Sequence, residues 1–321
     1  MIIIVAYHCV CYYGIWDEEF PYAYKYENIE TFRFICILAL QIFTFISGYL
    51  YAKGRHKDLK TIIKNKSIRL LVPYFFWSVV VACIFPFERS WMYLLCGMWH
   101  LWFLLMLFVC FVIVTAIKFY TRKLRMMIFF VVAISACNWF INKYNLNSNP
   151  NYFAYQSVLN YIPYFLSGIA ISKYELFKSF QKFGKFRLTL FFMLTTLILF
   201  MYHLRGGFPL STMYMWIVVA SFICCLYVLA GKIVNNEKIC PPHLLNSLDK
   251  TSMGIYLIHH ILIYIFLIYV PYATSIMDNH PYISPCILFV CVLLLSHILV
   301  SFMSRFIVIS FLMGVLIKEK K

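Results

Sequence analysis

The sequence predicts an all-α, polytopic integral membrane protein with about ten transmembrane helices and both termini in the cytoplasm. Two observations support this prediction. First, 63% of the 321 residues are hydrophobic and only 12% are charged, whereas a soluble domain has about 25% charged residues. Second, connections rich in Lys and Arg alternate along the chain with connections that have few, which is the pattern that orients membrane proteins.

Apolar runs of about 17–25 residues are long enough to cross the hydrocarbon core of a membrane as helices. Such runs follow one another along the chain with short polar connections between them, and no repeat or low-complexity linker divides them. We therefore expect one integral-membrane domain over residues 1–321. The predicted spans lie near 2–14, 32–52, 70–87, 100–117, 126–142, 156–172, 188–204, 212–231, 252–271 and 284–304.

Most of the 28 Lys and Arg residues fall in the connections that follow even-numbered spans. Since cytoplasmic connections are enriched in these residues, we expect a multi-pass protein of the inner (cytoplasmic) cell membrane, with membrane lipid as a partner. The same placement accounts for the net charge of +16 without a nucleic-acid partner. The predicted cytoplasmic segments lie near 53–69, 118–125, 173–187 and 232–251, with the tail at 318–321.

The twelve cysteines are scattered, without a C-x-x-C pair or a Cys/His cluster at metal-ligand spacing. We therefore expect neither a disulfide framework nor a metal site.

His8 stands in the middle of an apolar first segment. A histidine that faces lipid is costly, so we expect this side chain to face the protein interior or a wet cavity. Its ordinary pKa, near 6.5, suits a general base at neutral pH. A histidine that only hydrogen-bonds between helices fits the same position.

The second span carries Gln41, Thr44 and Gly48 at i, i+3 and i+7, with Ser47 beside them. Residues at this spacing share one helix face, and a glycine there lets a second helix approach closely. Polar and small residues are also common wherever membrane helices pack, so this face alone does not indicate a reaction.

Three further sites place polar groups at or inside the membrane. The entry to the third span carries Lys66 and Arg69, which are suited to the phosphates of an anionic cofactor such as coenzyme A. Positive charge at a cytoplasmic interface is also expected from topology alone. The fourth span opens with His100 and Trp102. In the ninth span Ser252, Tyr256 and His259 form one polar face at i, i+4 and i+7, and such groups are costly in hydrocarbon unless they find partners.

Five short motifs, in order along almost the whole chain, together resemble those of acyltransferase family 3, membrane proteins that O-acylate surface polysaccharides and other sugars. Each motif is short, but their shared order with about ten spans makes a chance match improbable. The motifs are Val5–His8, Phe43–Tyr49, Arg69–Tyr74, His100–Leu104 and Ser252–His259.

The resemblance implies transfer of an acyl group, most often acetyl, from acyl-coenzyme A to a hydroxyl of a saccharide or lipid-linked saccharide. It implies that His8 is the general base or a transient acyl carrier, and that Arg69, with Lys66, lies at the donor-binding side. Acyl-coenzyme A would be a donor substrate, with no permanently bound cofactor. The residues implied to bind substrate or support the site are Ser47, His100, Trp102, Tyr256 and His259.

Two departures from the family pattern bear on these expectations. The family's first helix carries an arginine about three turns before the histidine, and here that portion is absent before His8, so we expect a short first helix. Either the start was assigned too late, or the gene is truncated and this form is impaired. Lys66 stands where members commonly have a second arginine. Two alternatives therefore stay open: a glycan or lipid transporter or flippase, against which the absence of internal repeats argues mildly, and an inactive truncated family member.

Overall fold

The computed structural model describes residues 1–11, 29–54, 58–84, 90–144, 151–177, 185–204, 216–224, 226–227, 242–270, 279–280 and 283–314. Within these segments the regular structure is helical, which confirms the predicted all-α class. Residues 216–224 are helical as well. The other α-helices are α1 (Ile2–Cys11), α2 (Ile29–Lys53), α3 (Leu59–Lys66), α4 (Val72–Ile84), α5 (Ser90–Cys96), α6 (Trp102–Ala116), α7 (Leu124–Lys143), α8 (Tyr155–Lys173), α9 (Lys185–Leu204), α10 (Pro242–Tyr269), α11 (Ser284–Met303) and α12 (Ile307–Leu312).

Five helical stretches in the described part of the chain are long and apolar enough to cross a membrane. They support the prediction of a helical membrane protein, while the count of about ten spans and the cytoplasmic termini stay predictions. Several predicted boundaries lie outside the described residues, namely 12–14, 85–87, 212–215, 228–231, 271 and the tail at 318–321. The five stretches are Leu59–Ile84, Leu94–Ala116, Leu124–Lys143, Lys250–Leu267 and Ser284–Met303.

Two predicted connections turn out to contain helix. The segment at 53–69 holds α3, which runs through a π-helical turn at Ser67–Leu71 into α4. The segment at 232–251 holds the start of α10, which begins at Pro242, a residue well suited to the first helical position because its missing N–H is not needed there. Hydropathy detects the part of a helix that lies in hydrocarbon, so polar helical turns outside that region are read as connections.

The chain divides into two compact units. Met1–Leu40, Lys64–Phe108 and Leu245–Lys321 form the first unit, and Gln41–Ile63 with Val109–Leu244 form the second. In the first unit α1 packs along α11, and α12 packs against α4. The side chains of Val5 and Cys9 are fully buried on α1, as expected for a short apolar helix held by its neighbours.

In the second unit, the C-terminal half of α2 crosses α8 with the two backbones in contact. A Cβ atom added at Gly48 would strike the backbone oxygen of Phe165, and one added at Gly168 would strike that of Phe45. This confirms the close approach predicted at Gly48. On the other side, α8 packs against α7.

The contact between α7 and α8 includes a short chain of amides. The Asn138 Nδ2 group donates to Asn160 Oδ1 at 2.8 Å, and Asn142 Nδ2 donates to Asn138 Oδ1 at 3.3 Å. Asn138 is buried, and a polar group buried in a membrane helix is tolerated when a neighbouring helix supplies its partner. The amide chain therefore fixes how the two helices face each other.

Candidate active site

Four histidines from three parts of the chain meet in the first unit, and we call them the histidine cluster: His8 on α1, His100 in the turn before α6, and His259 and His260 on α10. The ring centroid of His8 lies 4.8 Å from His260, 5.2 Å from His259 and 6.3 Å from His100. The rings of His100 and His260 stack at 4.2 Å and 18°. Residues about 90 to 250 positions apart in sequence thus form one group of imidazoles.

The members of the histidine cluster differ in how accessible they are. His100, His259 and His260 are 5%, 0% and 4% exposed, whereas His8 is half-buried. Among the described residues, His8 is therefore the most exposed imidazole of the cluster.

Three buried nitrogens of the cluster have no hydrogen-bond partner among the described residues: both ring nitrogens of His100, and Nε2 of His259. The Nδ1 atom of His259 lies 3.0 Å from the backbone oxygen of Ile255. Because a carbonyl only accepts, Nδ1–H is the donor, and Nε2 of the neutral ring is left as an acceptor. An unsatisfied buried polar atom costs about 1–3 kcal/mol, so these nitrogens are suited to bind a group that the described residues do not supply.

A sharp turn between α5 and α6 presents His100 to the cluster. Gly97 has φ +100° and Trp99 has φ +41°, a left-handed conformation that is rare for a bulky side chain. Two tyrosine hydroxyls hold the turn. Tyr74 donates to the backbone oxygen of Leu94 at 2.8 Å and accepts from the Met98 N–H at 3.3 Å, and the Tyr256 hydroxyl donates to the backbone oxygen of His100.

We expect Tyr74→Phe to lower both the stability and the activity of the protein. The change removes the hydroxyl from a fully buried ring and leaves the buried Met98 N–H without a partner, which costs about 1–3 kcal/mol. The turn that carries His100 then loosens, so kcat should fall with the melting temperature. Tyr144→Phe is the matched control, because Tyr144 is 55% exposed. An unchanged melting temperature for Tyr74→Phe would contradict the role given to its hydroxyl.

The helix α11 supports α1 and α10, the two helices that carry His8, His259 and His260. It packs along α1, and its Val300 side chain fills the space over Gly254 of α10. The Thr251 hydroxyl of α10 lies 3.0 Å from Nδ1 of His297 on α11. The tenth predicted span thus acts as the common support for His8, His259 and His260.

Of the residues predicted to bind substrate or support the site, two belong to the histidine cluster and a third lies against it. They are His100, His259 and Tyr256, whose ring centroid lies 5.4 Å from His100 and 6.0 Å from His259. The Trp102 ring contacts Phe103 at 5.9 Å, and Phe103 in turn contacts Tyr256 at 6.3 Å.

The remaining predicted residues belong to other elements. Ser47 is half-buried on the part of α2 that belongs to the second unit. Lys66 ends α3 and is half-buried, and Arg69 is exposed in the π-helical turn that follows. A π-helical turn widens the helix by one residue and is frequent at functional sites. Gly314, with φ +67°, packs closely on this turn, because a Cβ added there would lie 2.7 Å from the Arg69 backbone oxygen.

Sequence reasoning missed His260, Trp99 and Tyr264. His260 is eight residues after Ser252 and four after Tyr256, so the helical spacing that singled out His259 also places His260 on that face. The Trp99 ring stacks on Tyr264 at 4.7 Å and lies 5.1 Å from His260. The sequence contains no pattern that predicts the contact between Trp99 and Tyr264. These residues are 165 positions apart, and Trp99 lies in a turn with unusual backbone angles.

A family model described as an acyltransferase domain, that of acyltransferase family 3, matches residues 1–313. No curated protein and no solved structure matches the chain. Among the described residues, no group of three or more His, Cys, Asp or Glu side chains is arranged to hold a metal ion. Since the family match spans nearly the whole sequence and the motifs that suggested it supply His8, His100 and His259 of the histidine cluster, the chain belongs to acyltransferase family 3.

Proposed function

We propose that this protein is a membrane-bound O-acyltransferase that moves an acyl group, acetyl in the first instance, from acyl-coenzyme A to a hydroxyl of a saccharide or lipid-linked saccharide. The proposal places it in the inner (cytoplasmic) membrane, acting in the modification of cell-surface polysaccharide. The observation that carries it is the histidine cluster, in which a half-buried imidazole, His8, adjoins buried imidazoles with nitrogens that lack partners among the described residues. Acyl transfer to an alcohol needs a base for the hydroxyl proton and donors for the oxygen of the carbonyl.

In the proposed reaction His8 is the base. A ring nitrogen of His8 takes the proton of the acceptor hydroxyl while the hydroxyl oxygen bonds to the thioester carbonyl carbon. The C–S bond then breaks, coenzyme A leaves as a thiolate, and the proton of the imidazolium passes to its sulfur. The products are an acyl ester of the sugar and free coenzyme A, so atoms and charges balance without a further reactant.

His100 would stabilise the thioester carbonyl oxygen as it becomes negative, and His259 would help to bind the acceptor. A neutral imidazole has one N–H donor and one acceptor nitrogen, and both nitrogens of His100 lack partners among the described residues. Its N–H is suited to donate to the developing oxyanion. The Nε2 acceptor of His259 is suited to accept a hydrogen bond from a neighbouring hydroxyl of the acceptor sugar, which would orient the reacting hydroxyl toward His8. The Tyr256 hydroxyl, bonded to the His100 backbone, keeps that ring in place.

The donor is proposed to bind through Lys66 and Arg69, which lie together at the end of α3 and in the π-helical turn. The phosphates of coenzyme A are anions, and guanidinium groups bind phosphate through paired, charge-assisted hydrogen bonds. Arg69 is exposed and therefore available to a ligand from the aqueous side.

We expect Arg69→Ala to raise the KM for acetyl-coenzyme A about tenfold or more, because a charge-assisted hydrogen bond is lost, while kcat changes little. Arg69→Lys should give a KM for acetyl-coenzyme A between those of the parent and Arg69→Ala, because it keeps the charge and loses the paired hydrogen-bond geometry. Arg125→Ala, at another exposed arginine of a predicted cytoplasmic connection, is the matched control. An equal rise of KM in both alanine variants would show a general charge effect and would contradict a donor site at Arg69.

The proposed function is tested with purified protein in lipid vesicles, supplied with acetyl-labelled acetyl-coenzyme A and the surface glycan of the host. We expect label to become bound to the glycan as an ester that mild alkali releases, with free coenzyme A formed in equal amount. Movement of glycan across the vesicle membrane without labelling would favour a transporter. Neither labelling nor movement would favour an inactive family member.

A further inference from the structure

Among the described residues, the rings on the two sides of the histidine cluster along α10 differ in exposure. Along α10, Tyr256 and Tyr264 lie four residues before and four residues after His260, about 6 Å away in either direction along the helix axis. On the Tyr256 side, the rings of Tyr256 and Phe103 are 5% and 3% exposed. On the Tyr264 side, both Tyr264 and Trp99 are half-buried. A molecule that approaches the cluster from the more exposed, Tyr264 side therefore meets these two rings.

Trp99, Tyr264 and His260 form a compact group of rings. Trp99 and Tyr264 stack at 4.7 Å and 25°, Trp99 lies 5.1 Å from His260, and Tyr264 lies 5.9 Å from His260 at 24°. His260 in turn stacks on His100. The aromatic surface thus continues from the partly exposed rings to the buried imidazoles that have unpaired nitrogens.

Trp99 is held in a strained backbone conformation. Its φ of +41° is unfavourable for a bulky side chain, and such residues cluster at binding and active sites, where the surrounding contacts hold them. A glycine fits the same backbone without strain. Tryptophan is more strained than glycine in this backbone conformation. Its presence here therefore indicates that the indole ring itself has a function.

The chemistry of this pair suits a sugar ring. The faces of indole and phenol are electron-rich and attract the electron-poor C–H bonds on one face of a pyranose, while the indole N–H and the phenol hydroxyl are polar tips that can reach sugar hydroxyls. The phosphates of acyl-coenzyme A need cations instead. A sugar lying on these rings would present a hydroxyl to the histidine cluster.

We propose that Trp99 and Tyr264 form the subsite that binds the ring of the acceptor saccharide and orients one hydroxyl toward His8. This inference rests on the proposed function, because it assigns the acceptor of the same reaction. It makes the two residues determinants of acceptor specificity, whereas the donor is bound elsewhere.

The test uses the full chain in lipid vesicles, labelled acetyl-coenzyme A and increasing concentrations of the isolated host surface glycan. The variants are Trp99→Gly, which removes the indole from a backbone that suits glycine, and Tyr264→Leu. Each should raise the KM for the glycan about tenfold, while the KM for acetyl-coenzyme A stays unchanged. Tyr264→Phe, which keeps the ring, should retain a glycan KM within about threefold of the parent.

Trp216→Leu is the matched control, because Trp216 stacks on Tyr164 at 4.2 Å and 24° in the second unit. It should leave the glycan KM unchanged. If the parent labels the glycan but Trp99→Gly and Tyr264→Leu leave its KM unaltered, or lower kcat alone, the subsite is overturned and the proposed function stands. If the parent transfers no label to the glycan, the proposed function fails and the subsite with it.

Discussion

His8→Ala is expected to reduce the kcat for acetyl transfer at least about a hundredfold, the usual contribution of a well-placed general base. His8 is the half-buried member of the histidine cluster, with its ring centroid within 6.3 Å of the other three. Without it, the described cluster has no accessible imidazole to take the hydroxyl proton. The rate of glycan labelling from acetyl-coenzyme A, measured at saturating donor, checks this expectation.

The matched control is His280→Ala, since His280 is an exposed histidine of the same unit and should retain the parent rate. Rapid quenching also separates the two roles that the family resemblance leaves open for His8. A label bound to the parent protein and absent from His8→Ala would identify an acyl carrier, and unlabelled parent protein indicates a base. Equal glycan labelling by the parent and His8→Ala would remove His8 from the reaction altogether.

Gly168→Ala is expected to lower the stability of the second unit strongly. The added Cβ would strike the Phe45 backbone oxygen and lie 2.8 Å from the Tyr49 nitrogen. Backbone atoms cannot swing aside as a side chain does, so α2 and α8 must separate. Overpacking of this kind costs about 1–3 kcal/mol, or roughly 2–4 °C in melting temperature for a chain of this size.

Gly48→Ala should behave in the same way, because its Cβ would meet the backbone of Phe165. Gly54→Ala provides the control at the end of α2, where the nearest atom is the Tyr51 oxygen at 3.3 Å. Thermal unfolding in detergent, followed by the loss of monodisperse protein, measures all three. A melting temperature for Gly168→Ala no lower than that for Gly54→Ala would disprove the backbone contact.

Much of the fold follows from composition and periodicity. Runs of apolar residues mark where helices lie in hydrocarbon, so the predicted segments at 126–142 and 284–304 agree closely with α7 and α11. The same criterion cannot find the ends of helices that continue into water. For that reason the starts of α3 and α10 fell inside predicted connections. The π-helical turn at Ser67–Leu71 has no distinct sequence pattern at all.

The candidate site could be predicted where a polar residue breaks an apolar run. His8, His100 and His259 stand out in this way, and Tyr256 shares the helix face of His259. Their meeting depends on how α1, α6 and α10 pack, which a single sequence does not encode in any local pattern. Trp99 reads as an ordinary interfacial tryptophan, because its left-handed φ and its stacking on Tyr264 exist only in the folded chain.

The central claim is that the four histidines act as one catalytic site. A double-mutant cycle of His8→Ala and His259→Asn, read as the rate of acetyl transfer to the glycan, tests it most directly, since residues that act as a unit give non-additive losses. We expect His259→Asn alone to slow transfer by about tenfold to a hundredfold, and to slow the His8→Ala variant by less than about threefold. Losses that multiply in the double variant would contradict a single site.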